Sequence, residues 1–109
     1  MTSPGVAAPA RGGKQVSVVY ALYGKPGLEK VLLDELRPLV QRSRKEAGCL
    51  LFDLYRLTSD RSRFFLHEVW KNHDALEVHS SNFHTTRFRA EVAHYLRRPV
   101  EIFEVEEIR

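Results

Sequence analysis

A glutamate, a tryptophan and a histidine that are close together in the chain are the residues best suited to chemistry. Glu68 and Trp70 stand two residues apart in an apolar segment with strand character, so their side chains share one face. A carboxylate on a mostly apolar face has a raised pKa and can act as a general base; the alternative is a structural ion pair. His79 lies on the inward side of the next helical segment. There a neutral imidazole can accept a proton or position Glu68, or can be a satisfied core residue.

Two hypotheses fit the role of Trp70. Its ring could form a wall of a substrate site, with the indole N–H donating to a phenolate or a peroxide. It could equally be the largest residue of the hydrophobic core, since it is the only tryptophan of the chain. The three residues together predict acid–base chemistry on a bound aromatic molecule.

The sequence indicates no metal site and no bound cofactor. A single cysteine, Cys49, excludes an internal disulfide and a cysteine-based zinc cluster. We find no glycine-rich phosphate loop and no nucleophile elbow. The histidines do not show a ligand spacing on one helix or one strand; they are His67, His73, His79, His84 and His94.

Charge and hydropathy narrow the classes of partner. The chain has 17 basic and 14 acidic residues, and the positive and negative charges are interspersed rather than clustered. We therefore expect no nucleic-acid binding. No apolar run approaches the ~18 residues of a membrane span, and residues 1–14 lack the apolar centre of a signal peptide. The chain is therefore expected to be cytoplasmic and to bind no membrane.

The elements that must position these residues follow from periodicity. Residues 1–14 are rich in Pro, Gly and Ala and are expected to form a flexible tail, which leaves 15–109 as one domain. Apolar spacing predicts a helix over 28–47, kinked near Pro38, and a second helical region from Asn72 to Leu96 that is interrupted at 80–82. Strands are predicted over 16–23, 49–57, 64–70 and 100–108, with the middle two forming a hairpin that sets Asp53 opposite His67.

The order β-α-β-β-α-β predicts an α+β fold, a ferredoxin-like sandwich with a four-stranded antiparallel sheet and its helices on one face. The second face of this sheet is also apolar. Its members include Val19, Ala21, Leu51, Tyr55 and Leu57. Because such a face would otherwise be exposed to water, we expect a homodimer formed through it.

Several short motifs occur in a recognisable order. They are Pro26-Gly27, Glu46-Ala47-Gly48-Cys49, Glu68-Val69-Trp70, His79 and Ser80-Ser81-Asn82-Phe83. Together they resemble the antibiotic biosynthesis monooxygenase (ABM) family over about residues 16–108. The resemblance implies a dimeric α+β barrel with a cavity between sheet and helices. Some members of that family oxygenate phenolic or quinol substrates with O2 and use neither metal nor flavin.

The resemblance yields a specific expectation for the site. His79, Glu68 and Trp70 are the expected catalytic residues, and Phe52, Leu66 and Phe83 join Trp70 in binding a small aromatic substrate. The expected activity is a cofactor-independent monooxygenation of a quinol-like or polyphenolic molecule. Isomerase or ligand-binding use of the same barrel, or haem binding, are alternatives.

Two departures from the family pattern bear on the reaction. Anthrone-type oxygenases tend to carry an asparagine at the position of Leu66. Haem-degrading relatives use an asparagine on the first strand and a late histidine, whereas strand 16–23 has no asparagine and 85–87 has no histidine.

Overall fold

A computed structural model describes residues 14–109. The tail expected over 1–14 therefore lies outside the described residues, apart from the exposed Lys14. Secondary structure follows the predicted order. The strands are β1 (Val16–Tyr23), β2 (Cys49–Arg56), β3 (Arg63–Trp70) and β4 (Glu101–Val105), and the α-helices are α1 (Glu29–Ser43), α2 (His73–Ser81) and α3 (Phe83–Val92). A 3-10 turn over Ala93–Tyr95 follows α3.

The four strands form one antiparallel sheet in the order β2-β3-β1-β4. This order confirms the ferredoxin-like prediction, with β1 and β3 in the centre. The hairpin register is also confirmed, since Asp53 pairs with His67 and Tyr55 with Phe65. Val18 of β1 lies opposite Glu68 of β3, so Glu68 is on a central strand.

Alternation divides the sheet residues between two faces. The helix face packs most closely against α1 and α2 and carries the largest buried side chains, including Phe52, Phe64 and Trp70. The other face, called the open face below, is covered by no helix of residues 14–109 and includes Val19, Ala21, Leu51, Tyr55, Phe103 and Val105. Tyr55 is 53% exposed, Phe103 49% and Val105 41%.

Helix α1 departs from the prediction at its C-terminal end. It continues through Pro38 as one helix but ends at Ser43 rather than at Ala47. The residues after Ser43 form turns, and the chain reverses at Gly48, whose φ is +82°. This backbone conformation favours glycine, and a Cβ added there would lie 2.6 Å from the Cβ of Ala75. The close approach sets the turn between α1 and β2 against α2.

Asparagine caps explain why the second helical region is two helices. The side chain of Asn72 accepts a hydrogen bond from the Ala75 backbone N–H at 2.9 Å and so caps the N-terminus of α2. Asn82 does the same for the N–H of Thr85, and its extended backbone ends α2 and begins α3.

No helix among residues 14–109 is long and apolar enough to cross a membrane.

Candidate active site

A cavity of about 490 Å³ lies between the helix face of the sheet and α3. Tyr20, Leu66 and Glu68 line it from the sheet, and Phe88 and Val92 line it from α3. This volume is typical of a site for a small organic ligand. Among its lining residues in the described part of the chain, Glu68 is the only carboxylate.

Glu68 is a buried carboxylate in this cavity. Only 2% of the residue is exposed, and its Oε1 accepts a hydrogen bond from the indole Nε1–H of Trp70 at 3.0 Å. Burial raises the pKa of Glu68 to about 7, the negative charge of Glu46 adds to this, and the bond from Trp70 opposes it. A carboxyl group with this pKa is poised to gain or lose a proton near neutrality.

His79 reaches the same place from α2. Its Nδ1 lies 3.0 and 3.2 Å from the two carboxylate oxygens of Glu46, and its Nε2 lies 3.8 Å from Oε1 of Glu68. Burial lowers the pKa of His79, while the hydrogen bond and charge of Glu46 act in the opposite direction. A neutral ring that donates from Nδ1 to Glu46 leaves the lone pair of Nε2 on the side of Glu68. The 3.8 Å separation exceeds a direct hydrogen bond, so a small shift or a bridging water would link the two groups.

Glu46 is a member of the site that the sequence analysis did not single out. It lies in the turn after α1 and holds two histidines, because its Oε2 is also 3.0 Å from Nε2 of His84. The available signal was the Glu46-Ala47-Gly48-Cys49 motif, in which Glu46 is the only residue with a titratable carboxylate. Its partner His79 is 33 residues away in the chain, a pairing that periodicity does not reveal.

The aromatic residues are arranged differently from the predicted walls. Trp70 is fully buried and Phe52 is 1% exposed, and neither lines the cavity. The Trp70 ring lies 4.6 Å from the ring of His79 at 32°, and Phe52 makes an edge contact with the same ring at 5.5 Å. Both residues therefore pack against His79 and Glu68 on the side away from the cavity, because β2 and β3 bury this end of the helix face completely. Leu66 lines the cavity, whereas Phe83 lies outside it and is 78% exposed at the start of α3.

Tyr20 and Arg89 complete the polar groups near Glu68, and the sequence analysis assigned a role to neither. Burial raises the pKa of Tyr20 to about 12, and the charge of Glu68 contributes in the same direction. Arg89 opposes this shift and donates a hydrogen bond to the carbonyl oxygen of Ser80 at 2.6 Å. Strand alternation gave a signal for Tyr20, since it shares the face of Val18 and pairs with Leu66.

The arrangement suits proton transfer on an apolar ligand. The carboxyl group of Glu68 with its pKa of about 7, the neutral imidazole of His79 and the phenol of Tyr20 converge on one side of a largely apolar cavity. Within residues 14–109, no group of three or more His, Cys, Asp and Glu side chains is arranged to hold a metal ion.

Comparison with known proteins adds independent findings. The family model described as "Antibiotic biosynthesis monooxygenase" matches residues 15–91. The Bacillus subtilis protein named "Putative monooxygenase YcnE" is 30% identical over 82 residues, which cover 75% of this chain and 86% of that protein. A second relative named as a monooxygenase in the same terms, Rv0793 of Mycobacterium tuberculosis, is 30% identical over 87 residues, covering 80% of this chain and 85% of the relative.

Solved structures agree with these matches. PA3566 from Pseudomonas aeruginosa superposes with a TM-score of 0.81 at 32% identity, over 88% of this chain and 96% of that one. The structure of Rv0793 superposes with a TM-score of 0.82 at 26% identity, over 88% of this chain and 97% of the other.

Proposed function

This chain belongs to the antibiotic biosynthesis monooxygenase family, and we propose that it is a cofactor-independent monooxygenase of quinol-like or polyphenolic molecules. The observation that carries the proposal is the carboxyl group of Glu68. This group faces an apolar cavity, and burial raises its pKa to about 7. Its Oε1 lies 3.8 Å from Nε2 of His79. A phenolic substrate bound there meets a base able to accept its proton at neutral pH.

The chemistry balances without an added reductant. A hydroquinone and O2 yield a hydroxyquinone and water, so the substrate itself supplies the four electrons that reduce O2. One oxygen atom enters the ring and the other leaves as water. The protein then has three tasks: to bind the ring away from water, to remove a proton, and to stabilise the anion that reacts with O2.

Each residue near Glu68 has a task in this proposal. Glu68 takes the substrate proton, and His79 assists it from Nε2 while Glu46 fixes its tautomer. Trp70 acts through Glu68, because its indole N–H is committed to that carboxylate. Leu66 contacts the ring of the substrate as part of the apolar lining.

A homodimer through the open face is part of the proposal. Tyr55, Phe103 and Val105 expose large apolar surfaces there, on the side of the sheet opposite the cavity. Dimerisation would cover these groups and leave the cavity accessible. The extent of the domain, 15–109, and its cytoplasmic location stay predictions.

Oxygen consumption is the direct test. The protein is treated with a chelator and mixed with hydroquinones and anthrones in an oxygen electrode, and ¹⁸O2 is used to locate the incorporated atom. We expect one O2 consumed per substrate, with one labelled atom in the product. Glu68→Gln should lower the rate by a factor of roughly 10²–10⁴, whereas Glu91→Gln, on an exposed position of α3, should leave it unchanged.

The alternatives predict different results in the same experiment. Turnover without oxygen uptake would identify an isomerase that uses the same base. Binding without turnover would identify a ligand-binding protein. A Soret band on titration with haem would indicate a haem-binding relative. Any of these, with no oxygen uptake by the panel, contradicts the monooxygenase proposal.

A further inference from the structure

Two histidines share one carboxylate beside the site. Oε2 of Glu46 lies 3.0 Å from Nδ1 of His79 and 3.0 Å from Nε2 of His84. The other ring nitrogen of His79 faces Glu68, with 3.8 Å between Nε2 and Oε1. These four side chains form one continuous series, Glu68–His79–Glu46–His84. Each member is within hydrogen-bond distance of the next, or within reach of it through a small shift or one bridging water.

The series runs from the cavity to the surface. Glu68 and His79 line the cavity, whereas Glu46 and His84 do not. Side-chain exposure rises along the series, from 3% at Glu68 and His79 to 15% at Glu46 and 27% at His84. The series therefore connects a carboxylate that a bound ligand would cover with an imidazole that water reaches.

The junction between α2 and α3 brings the two histidines to the same carboxylate. His79 and His84 are five residues apart, and in a continuous helix residues at this spacing point about 140° away from each other. Asn82 interrupts the helix with an extended backbone, so His84 belongs to the first turn of a new helix. Both rings can then face Glu46, which lies in the turn after α1.

The proposed reaction needs protons to move in both directions. The substrate loses a proton when its anion forms, and a proton is taken up when the second oxygen atom of O2 leaves as water, so the net count over one turnover is zero. Glu68 is 2% exposed, and a ring bound in the cavity covers its remaining open side. Water excluded in this way cannot exchange protons with Glu68 directly. A route through the protein would connect Glu68 with solvent while the substrate is bound.

We propose that Glu46 and His84 form a proton relay that connects Glu68, through His79, with the solvent. The inference rests on the proposed function for the source and the use of the proton. In the outward passage Glu68 gives its proton to Nε2 of His79, Nδ1 of the same ring releases a proton to Glu46, and His84 passes a proton to water. Each imidazole takes up a proton at one nitrogen and releases one from the other, so its tautomer is reversed. The inward passage restores the original tautomers.

Exchange of the ring N–H of His79 with water tests the relay without any turnover. The full chain is labelled with ¹⁵N-histidine, and the exchange rate of this N–H is measured by NMR saturation transfer from water. His84→Phe keeps a ring of similar size and removes both ring nitrogens, so it should slow the exchange about tenfold or more. His94→Phe is the matched control and should leave the rate unchanged, since His94 is exposed in the 3-10 turn and does not line the cavity.

Chemical rescue tests the same relay during turnover. With the hydroquinone that supports oxygen uptake, His84→Ala should lower kcat about tenfold or more and leave substrate affinity unchanged, because His84 does not line the cavity. Free imidazole can occupy the space of the deleted ring, so it should restore kcat in His84→Ala but not in His84→Phe. A purely structural role for His84 would not produce this difference between the two variants. If His84→Phe fails to fold, Glu46→Gln replaces it in both experiments, because a primary amide does not relay a proton.

Several results would overturn the inference. An exchange rate of the His79 N–H that is the same in His84→Phe and in the wild type would do so whatever the activity of the protein. A loss of kcat in His84→Ala that imidazole does not restore would assign His84 to a structural role instead. Exchange that depends on His84, in a protein that takes up no oxygen, would refute the proposed monooxygenase and leave the relay standing. Oxygen uptake that is independent of His84 would do the reverse.

Discussion

Replacing Glu68 by glutamine should make the protein more stable at neutral and alkaline pH. Glu68 is 2% exposed, and the hydrogen bond from Trp70 reaches its Oε1 at 3.0 Å. Glutamine has nearly the same size and retains an oxygen that can accept this bond. The substitution therefore removes the cost of burying a negative charge and changes little else.

The magnitude follows from the pKa of Glu68, which rises from its ordinary value of 4.5 to about 7. Between these two values the unfolded chain has released the proton and the folded protein still holds it. The free energy of unfolding therefore falls as pH rises through this window and levels off above pH 7. At 1.36 kcal/mol per unit of pKa, the full difference is roughly 3 kcal/mol. Glu68→Gln should match the wild type near pH 4.5 and exceed it by about this amount at pH 8.

Urea unfolding followed by circular dichroism at pH 4.5, 6 and 8 measures the difference. Glu91→Gln, an exposed position on α3, is the control for loss of a carboxylate in general. The titration of His79 is present in both proteins and so drops out of the comparison to first order. Equal stability of Glu68→Gln and wild type at pH 8, or a gain that is the same at every pH, would refute the reasoning. Because the same substitution removes the proposed base, stability and oxygen uptake should change in opposite directions.

Three further predictions concern the surroundings of the site. Trp70→Phe removes the hydrogen bond that lowers the pKa of Glu68, so the acidic limb of the pH profile of kcat/KM should move to higher pH; an unchanged limb would contradict the coupling. Gly48→Ala should lower the free energy of unfolding by more than ~2 kcal/mol, because its Cβ would clash with α2 at 2.6 Å. At Gly27 φ is a similar +87°, but an added Cβ would meet no atom within 4 Å, so Gly27→Ala should cost only the backbone strain of about 1 kcal/mol. If urea unfolding showed that both variants lose the same free energy of unfolding, the result would count against the clash at Gly48. Tyr55→Asp should convert a dimer into a monomer in sedimentation experiments at micromolar concentration, and a monomeric wild type would contradict the dimer itself.

The parts of the fold that local pattern controls were predictable from the sequence. The alternation of β-branched and aromatic residues predicted β1 with the bounds that the structure shows, Val16–Tyr23. The length of the polar loop fixed the hairpin register, so that Asp53 pairs with His67 as expected. The C-terminal end of α1 was predicted wrongly because Ala47 continues the apolar stripe, although the backbone has already turned at Arg44.

The site was predictable only in part, for a physical reason. Two-residue spacing on a strand places Glu68 and Trp70 on one face whatever the rest of the chain does. It does not reveal that the indole N–H donates to the carboxylate, or that both rings behind the site are sealed from the cavity. The contact between Glu46 and His79 joins residues 33 apart, so it depends on how the turn after α1 packs against α2. Such long-range packing leaves no periodic signal in the sequence.

The buried carboxyl group links stability to chemistry in this protein. Glu68 accepts a hydrogen bond from Trp70 but lies 3.8 Å from the imidazole nitrogen of His79, beyond a direct hydrogen bond. Within residues 14–109 no arginine or lysine lies within salt-bridge distance of it, so ionised Glu68 is incompletely compensated. A closer cation would relieve this cost and would also lower the pKa of Glu68, which would leave a weaker base. The raised pKa and the lost stability are therefore the same free energy measured in two ways. Any substitution that restores the stability by neutralising or pairing Glu68 should reduce proton abstraction in proportion.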